Sequence, residues 1–129
     1  MNIESAIAAL PPAPAEQYAI VFRHGTFEAG IYAPRIVDDQ TPHTRDEAYV
    51  VVKGSGHFVC GDTRTLFSPG ALLFVPAGRT HRFEDCSDDL TVWVIFYGPD
   101  GGEAVETGTW IGGAGPSNRP PPQDPPPET

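Results

Sequence analysis

The sequence predicts an all-β fold, a sandwich or barrel. Three observations point there. Between Glu16 and about Gly98 the apolar residues fall in short runs of strand-forming types. Each run closes on a Gly, Pro or Asp turn signal, the punctuation of successive hairpins. Nothing in this zone sustains a helical period for three turns.

The chain opens on a helix candidate at residues 2–10, where Asn2 can cap and Ile3, Ile7 and Leu10 share one face. The Pro11-Pro12-Ala13-Pro14 stretch ends it. So short a helix docks on the body of the protein or frays. Residues 1–15 therefore read as a helix and Pro-rich linker, and residues 16–110 as the β body. Its strands are expected at 18–23 (YAIVFR), 26–33 (TFEAGIYA), 47–53 (EAYVVVK) and 57–60 (HFVC). Four more follow at 63–67 (TRTLF), 71–75 (ALLFV), 81–85 (HRFED) and 90–97 (LTVWVIFY). Eight strands at this spacing suit two packed sheets or a closed barrel. Residues 111–129 hold seven prolines between Pro116 and Pro127 and almost no apolar content. They cannot bury enough surface to offset ordering entropy, and read as a disordered, partly polyproline tail.

Charge and composition exclude some functions. A formal charge of −9 with only 8 scattered basic residues argues against a nucleic-acid or anionic-membrane surface. No apolar run approaches the roughly twenty residues of a membrane span. The N-terminus lacks a basic n-region and carries Glu4, so no secretory signal is read and a cytoplasmic location is expected. Two cysteines, Cys60 and Cys86, make no disulfide framework and read as small apolar side chains.

The candidate chemistry lies in two segments. In "HTRDEAYVVVK", strand alternation puts Glu47, Tyr49 and Val51 on one face, and His43 shares the parity of Glu47. In "PGALLFVPAGRTHRFED", Pro69-Gly70 leads into an apolar strand and Pro76-Ala77-Gly78 leads out. His81 then opens the next strand, sharing a face with Phe83 and Asp85. A rigid Pro-x-Gly turn fixes where that histidine lands, as a built site requires.

These two segments resemble the motifs of the cupins, the small double-stranded β-helix or jelly-roll family. The first cupin motif runs glycine, spacer, His-x-His, spacer, glutamate, spacer, glycine. His43, Glu47 and Gly54 stand at its second histidine, glutamate and final glycine. The second runs glycine, spacer, Pro-x-Gly, spacer, histidine, spacer, asparagine. Gly70, Pro76, Gly78 and His81 match it, and Asp85 stands where asparagine is usual. The resemblance covers roughly residues 18–98 and implies a jelly-roll barrel. The family's first histidine falls at Thr41, a poor ligand. An alternative alignment with one residue deleted makes His43 the first histidine and puts Arg45 at the second. Either way one imidazole is missing, and His43, Glu47 and His81 remain.

Two imidazoles and a carboxylate are the donors of catalytic zinc sites and of the facial triad for non-haem iron. The set predicts one divalent transition metal, with Fe, Mn, Zn and Ni not distinguished. The resemblance implies a dioxygenase, isomerase or lyase acting on a small organic substrate held in the barrel. The competing reading is a binding module that does no chemistry, which the missing ligand favours. Tyr49, Phe83 and Trp93 are candidate pocket walls, with plain core packing as the alternative. "LTVWVIFY" is apolar on both faces, so something is expected outside it: the N-terminal helix or a second subunit. Many cupins dimerise, so a homodimer is expected. His24 reads as a solvated turn residue, and His57 as a fourth ligand only if its strand starts in the right phase. Arg45, Arg79 and Arg82 could guide an anion but read as solvated, and Asp85, Asp88 and Asp89 as surface.

Overall fold

The computed structural model describes residues 1–35 and 41–104. The tail expected at 111–129 lies outside the described residues. The elements run α1 (Ile3–Ala8), β1 (Tyr18–His24), β2 (Phe27–Tyr32), β3 (Asp46–Lys53) and β4 (Gly56–Cys60). They continue β5 (Thr63–Phe67), β6 (Leu72–Val75), β7 (His81–Glu84) and β8 (Thr91–Tyr97). Each of the eight expected strands is present with its ends within one residue of expectation, and the small differences lie where turn chemistry rather than propensity decides.

The strands form a five-stranded sheet, β1-β2-β8-β3-β6, and a three-stranded sheet, β5-β4-β7. All pairings are antiparallel. Among the described residues no strand pairs across from one sheet to the other. The architecture is therefore a two-sheet jelly roll, and the barrel is not closed by hydrogen bonds.

Alternation builds the core. Tyr32, Tyr49, Val51, Leu73, Val75, Val92 and Val94 face inward from the larger sheet, and Phe58, Cys60, Phe67 and Phe83 from the smaller one. Burying an aliphatic or aromatic side chain of this size stabilises by about 1.5–3 kcal/mol each. Gly54 closes the β3–β4 connection at φ +93°, and a Cβ there would lie 2.7 Å from the Leu90 Cα. Left-handed backbone and close approach together account for a glycine at this motif position.

Helix α1 is shorter than its sequence pattern suggests. Asn2 Oδ1 accepts from the Ser5 amide at 2.9 Å, and Ser5 Oγ accepts from the Asn2 amide at 3.1 Å, a reciprocal capping box. The buried face centres on Ala6, which is fully enclosed, while Ile3, Ile7 and Leu10 are only half-buried beside it. The helix packs against β2. It leaves Phe22, Phe27, Leu72 and Phe74 exposed, with Phe22 and Phe27 in edge-to-face contact. Among the described residues no helix is long and apolar enough to cross a membrane.

Candidate metal centre

Three chain segments bring the site together. Glu47 is the second residue of β3, pairs with both Phe96 and Val75, and points into the core at 1% exposure. His81 opens β7 opposite Cys60, and its side chain is fully enclosed. His43 precedes β3, so no ladder fixes it. Its carbonyl instead accepts from the Gly78 amide at 2.7 Å, tying the approach segment to the Pro76-Ala77-Gly78 turn. Asp46, itself buried, braces the same turn: Oδ1 accepts from the Ala77 amide at 2.9 Å and Oδ2 from the Glu103 amide at 2.8 Å.

The ligand atoms of His43, Glu47 and His81 lie within 4.8 Å of one another. The hydrogen bonds behind them decide what they can do. His43 Nδ1 is 2.8 Å from the Arg45 carbonyl, and His81 Nδ1 is 3.0 Å from the Arg79 carbonyl. A carbonyl oxygen only accepts, so each Nδ1 carries a proton and a neutral ring keeps its lone pair on Nε2. Those two Nε2 atoms sit 2.7 and 3.3 Å from Oε1 of Glu47. Two nitrogen lone pairs and a carboxylate thus converge with no proton to share among them. A cation resolves the conflict; otherwise extra protons must be bound. Donors at right angles on a metal with bonds of about 2.1 Å are about 3 Å apart, close to both spacings. The donor set fits a divalent metal.

Without a cation, burial alone would raise the Glu47 carboxyl, but imidazoles that take up those extra protons on Nε2 outweigh it through hydrogen bonds and charge, and hold it below its ordinary value. His43 alone of the three is partly open, at 20% side-chain exposure, which marks the accessible side. Its ring stands edge-on to Phe96 and to His81. Arg45 lies over Phe96 at 5.5 Å and binds Glu28 at 2.9 Å, closing the rim.

The remaining sequence candidates separate. Tyr49 and Phe83 lie in the aromatic core behind His81, Tyr49 fully buried and 5.0 Å from Phe83 between ring centres. Phe83 also borders a depression of about 110 Å³ with Arg35, Asp85 and Cys86. Trp93 is a correction. Val92 and Val94 point inward, so Trp93, between them and opposite Ile31 and Val50, lies on the outer face. His57 is likewise on an outer face, between inward Gly56 and Phe58, and does not join the three donors. Thr41 is exposed and supplies nothing. Arg79 is buried rather than solvated, and Arg82 is exposed. Asp85 is an exposed partner of Arg64.

A pocket of about 130 Å³ opens on Glu47, lined also by Glu16, Tyr18, Tyr32, Val94 and Phe96. Burial first, then the charges of Glu28 and Glu47, push the Tyr18 phenol up to about 12 against the opposing pull of Arg23 and Arg45. Tyr18, Tyr32 and Phe96 escape a reading of the motifs alone. Phe96 shares the inward phase of Val92 and Val94, but β8 is apolar on both faces, so its sequence alone does not mark that phase.

A family model described as a cupin domain matches residues 30–97. An uncharacterized protein of Streptomyces coelicolor is 36% identical over 85 residues, covering 64% of this chain and 81% of its own length. KdgF from a Halomonas species has a similar structure, with a TM-score of 0.57 and 23% identity over 65% of this chain and 81% of that one. Protein NMB1881 of Neisseria meningitidis gives 0.59 and 21%, over 76% and 98%. At such identities the structural likeness bears on the fold.

Proposed function

The chain belongs to the cupin-domain family, and from that premise we propose that it is a metal-dependent enzyme of dioxygenase, isomerase or lyase type. Its substrate is a small organic molecule held beside Glu47. One observation carries this reading: both imidazoles are tied through Nδ1, so both Nε2 lone pairs meet the ionised Glu47 carboxylate. His43, Glu47 and His81 would hold one divalent transition metal and leave coordination positions open. When bound, that ion supplies Lewis acidity toward a substrate oxygen. The chain's own residues do the rest. Glu47 supplies the ligand charge, the Arg79 and Arg45 carbonyls hold the rings in one tautomer, and the aromatic core behind His81 keeps water out.

Metal analysis of purified protein tests the reading. Wild type is expected to carry about one equivalent of transition metal, and Glu47→Gln, which keeps the shape and loses the charge, well under a tenth of that. A wild type devoid of metal after growth and reconstitution with Fe, Mn, Zn and Ni would remove the enzyme. It would favour the second reading, a binding module without chemistry, which Thr41 supports by standing exposed where relatives of this pattern place a histidine.

The same proposal includes a homodimer. Its support is the exposed apolar outer face carrying Phe22, Leu72 and Phe74. Light scattering is expected to give twice the 13.8 kDa chain mass; the mass of a single chain at micromolar concentration would remove the dimer.

A further inference from the structure

Resting on that metal-site reading, we propose that the pocket beside Glu47 binds a ring-sized organic monoanion, and that the Tyr18 hydroxyl donates the hydrogen bond that orients it.

Size comes first. The pocket holds about 130 Å³, close to the roughly 150 Å³ cavity that accommodates one benzene. Its walls, Tyr32, Val94 and Phe96, are largely apolar, so a flat hydrocarbon body fits them.

Tyr18 is built into this space. Gly30 faces inward opposite Val94, and a Cβ on it would lie 2.9 Å from the Tyr18 Cε1 and 3.1 Å from its hydroxyl. The missing side chain is what lets the Tyr18 ring lie over the sheet at the pocket wall. The ring meets Tyr32 edge-on at 6.2 Å, yet the hydroxyl engages no acceptor among the described residues. A protonated phenol lining a pocket that ends on a metal ligand is placed to donate to an acceptor oxygen on the occupant.

Charge sets the class. A divalent ion held by Glu47 alone among charged ligands keeps one net positive charge, which draws an anion. Glu28 opposes it only in part, because Arg45 and Arg23 approach its carboxylate at 2.9 and 3.8 Å. Glu16, exposed at the rim, disfavours a second negative charge on the ligand. A carboxylate or phenolate on one ring satisfies all three conditions.

The test uses cobalt(II)-loaded protein with benzoate as probe, read by cobalt absorption. Benzoate is expected to shift the spectrum, and Tyr18→Phe to weaken its binding about ten- to a hundredfold, as the loss of one hydrogen bond to a charged group does. Azide reaches the metal but is too short to span to the phenol, so its affinity should be equal in both proteins. The thermal midpoint should also be equal, since no existing hydrogen bond is removed. Cobalt binding with benzoate indifferent to Tyr18→Phe overturns this inference and leaves the metal centre standing. Equal weakening of azide and benzoate overturns it too, by showing a general disturbance of the site. Failure of cobalt to bind removes both.

Discussion

Loading the metal-free protein with a divalent transition metal is expected to raise its thermal midpoint by roughly 10–20 °C, and His81→Ala is expected to erase that rise. A ligand that binds only the folded state stabilises it by about 2.7 kcal/mol at a hundredfold excess over its Kd. In a folded body of this size each kcal/mol moves the midpoint by about 4–8 °C. His81 is the decisive variant because its side chain is fully enclosed and its Nε2 lies 3.3 Å from Glu47 Oε1. Alanine removes one of the three donors. It also leaves a cavity among Tyr49 and Phe58, so the variant is less stable in its own right. The informative quantity is therefore the metal-induced shift within each protein, measured by differential scanning calorimetry with and without chelator. A wild type whose midpoint is indifferent to Mn, Fe, Co, Ni and Zn has no metal centre at these residues. A His81→Ala protein that shifts as far as wild type places the metal elsewhere.

The fold was legible wherever local chemistry marks the chain. Gly-Ser-Gly after Lys53, Gly-Asp after Cys60 and Pro-Ala-Gly after Val75 each end a strand where the structure ends one. The alternation of β3 is clean, so the shared inward face of Glu47, Tyr49 and Val51 followed from period alone. β8 carries no such signal. It is apolar on both faces, and only its pairing with β2 and β3 separates inward Phe96 from outward Trp93. β1 hides its phase differently, since a register shift between Ile20 and Phe22 breaks the parity that would relate Tyr18 to the strand's far end. His43 was recognisable by type and spacing but not by geometry. It precedes its strand, and what aims it is a hydrogen bond to Gly78, thirty-odd residues away in sequence. Long-range ties of that kind have no local signature.

Asp46 is the clearest case of such a tie, and Asp46→Ala is expected to cost about 3–5 kcal/mol of folding stability and to weaken metal binding about ten- to a hundredfold. The carboxylate is 6% exposed and accepts from two backbone amides, Ala77 at 2.9 Å and Glu103 at 2.8 Å. Hydrogen bonds to a charged group contribute about 1.5–3 kcal/mol each, and the alanine leaves both part-buried donors without their acceptor. The functional loss follows from where those donors are. Ala77 is the middle of the turn that aims His81, and Gly78 beside it holds the His43 carbonyl. The segment ending at Glu103 is tied back to Thr44 through the Gly101 amide at 2.6 Å. Releasing Asp46 therefore loosens both imidazoles while touching neither, the effect expected when support behind a ligand is removed. Asp46→Asn separates the two roles, because its amide keeps one acceptor oxygen and should lose about half as much stability. Urea unfolding of the metal-free proteins gives the first quantity, and competition with a chelating dye gives the second. An Asp46→Ala protein within about 1 kcal/mol of wild type, binding metal equally well, would show that the turn holds its shape unaided. The two histidines would then owe their convergence to the sheets alone.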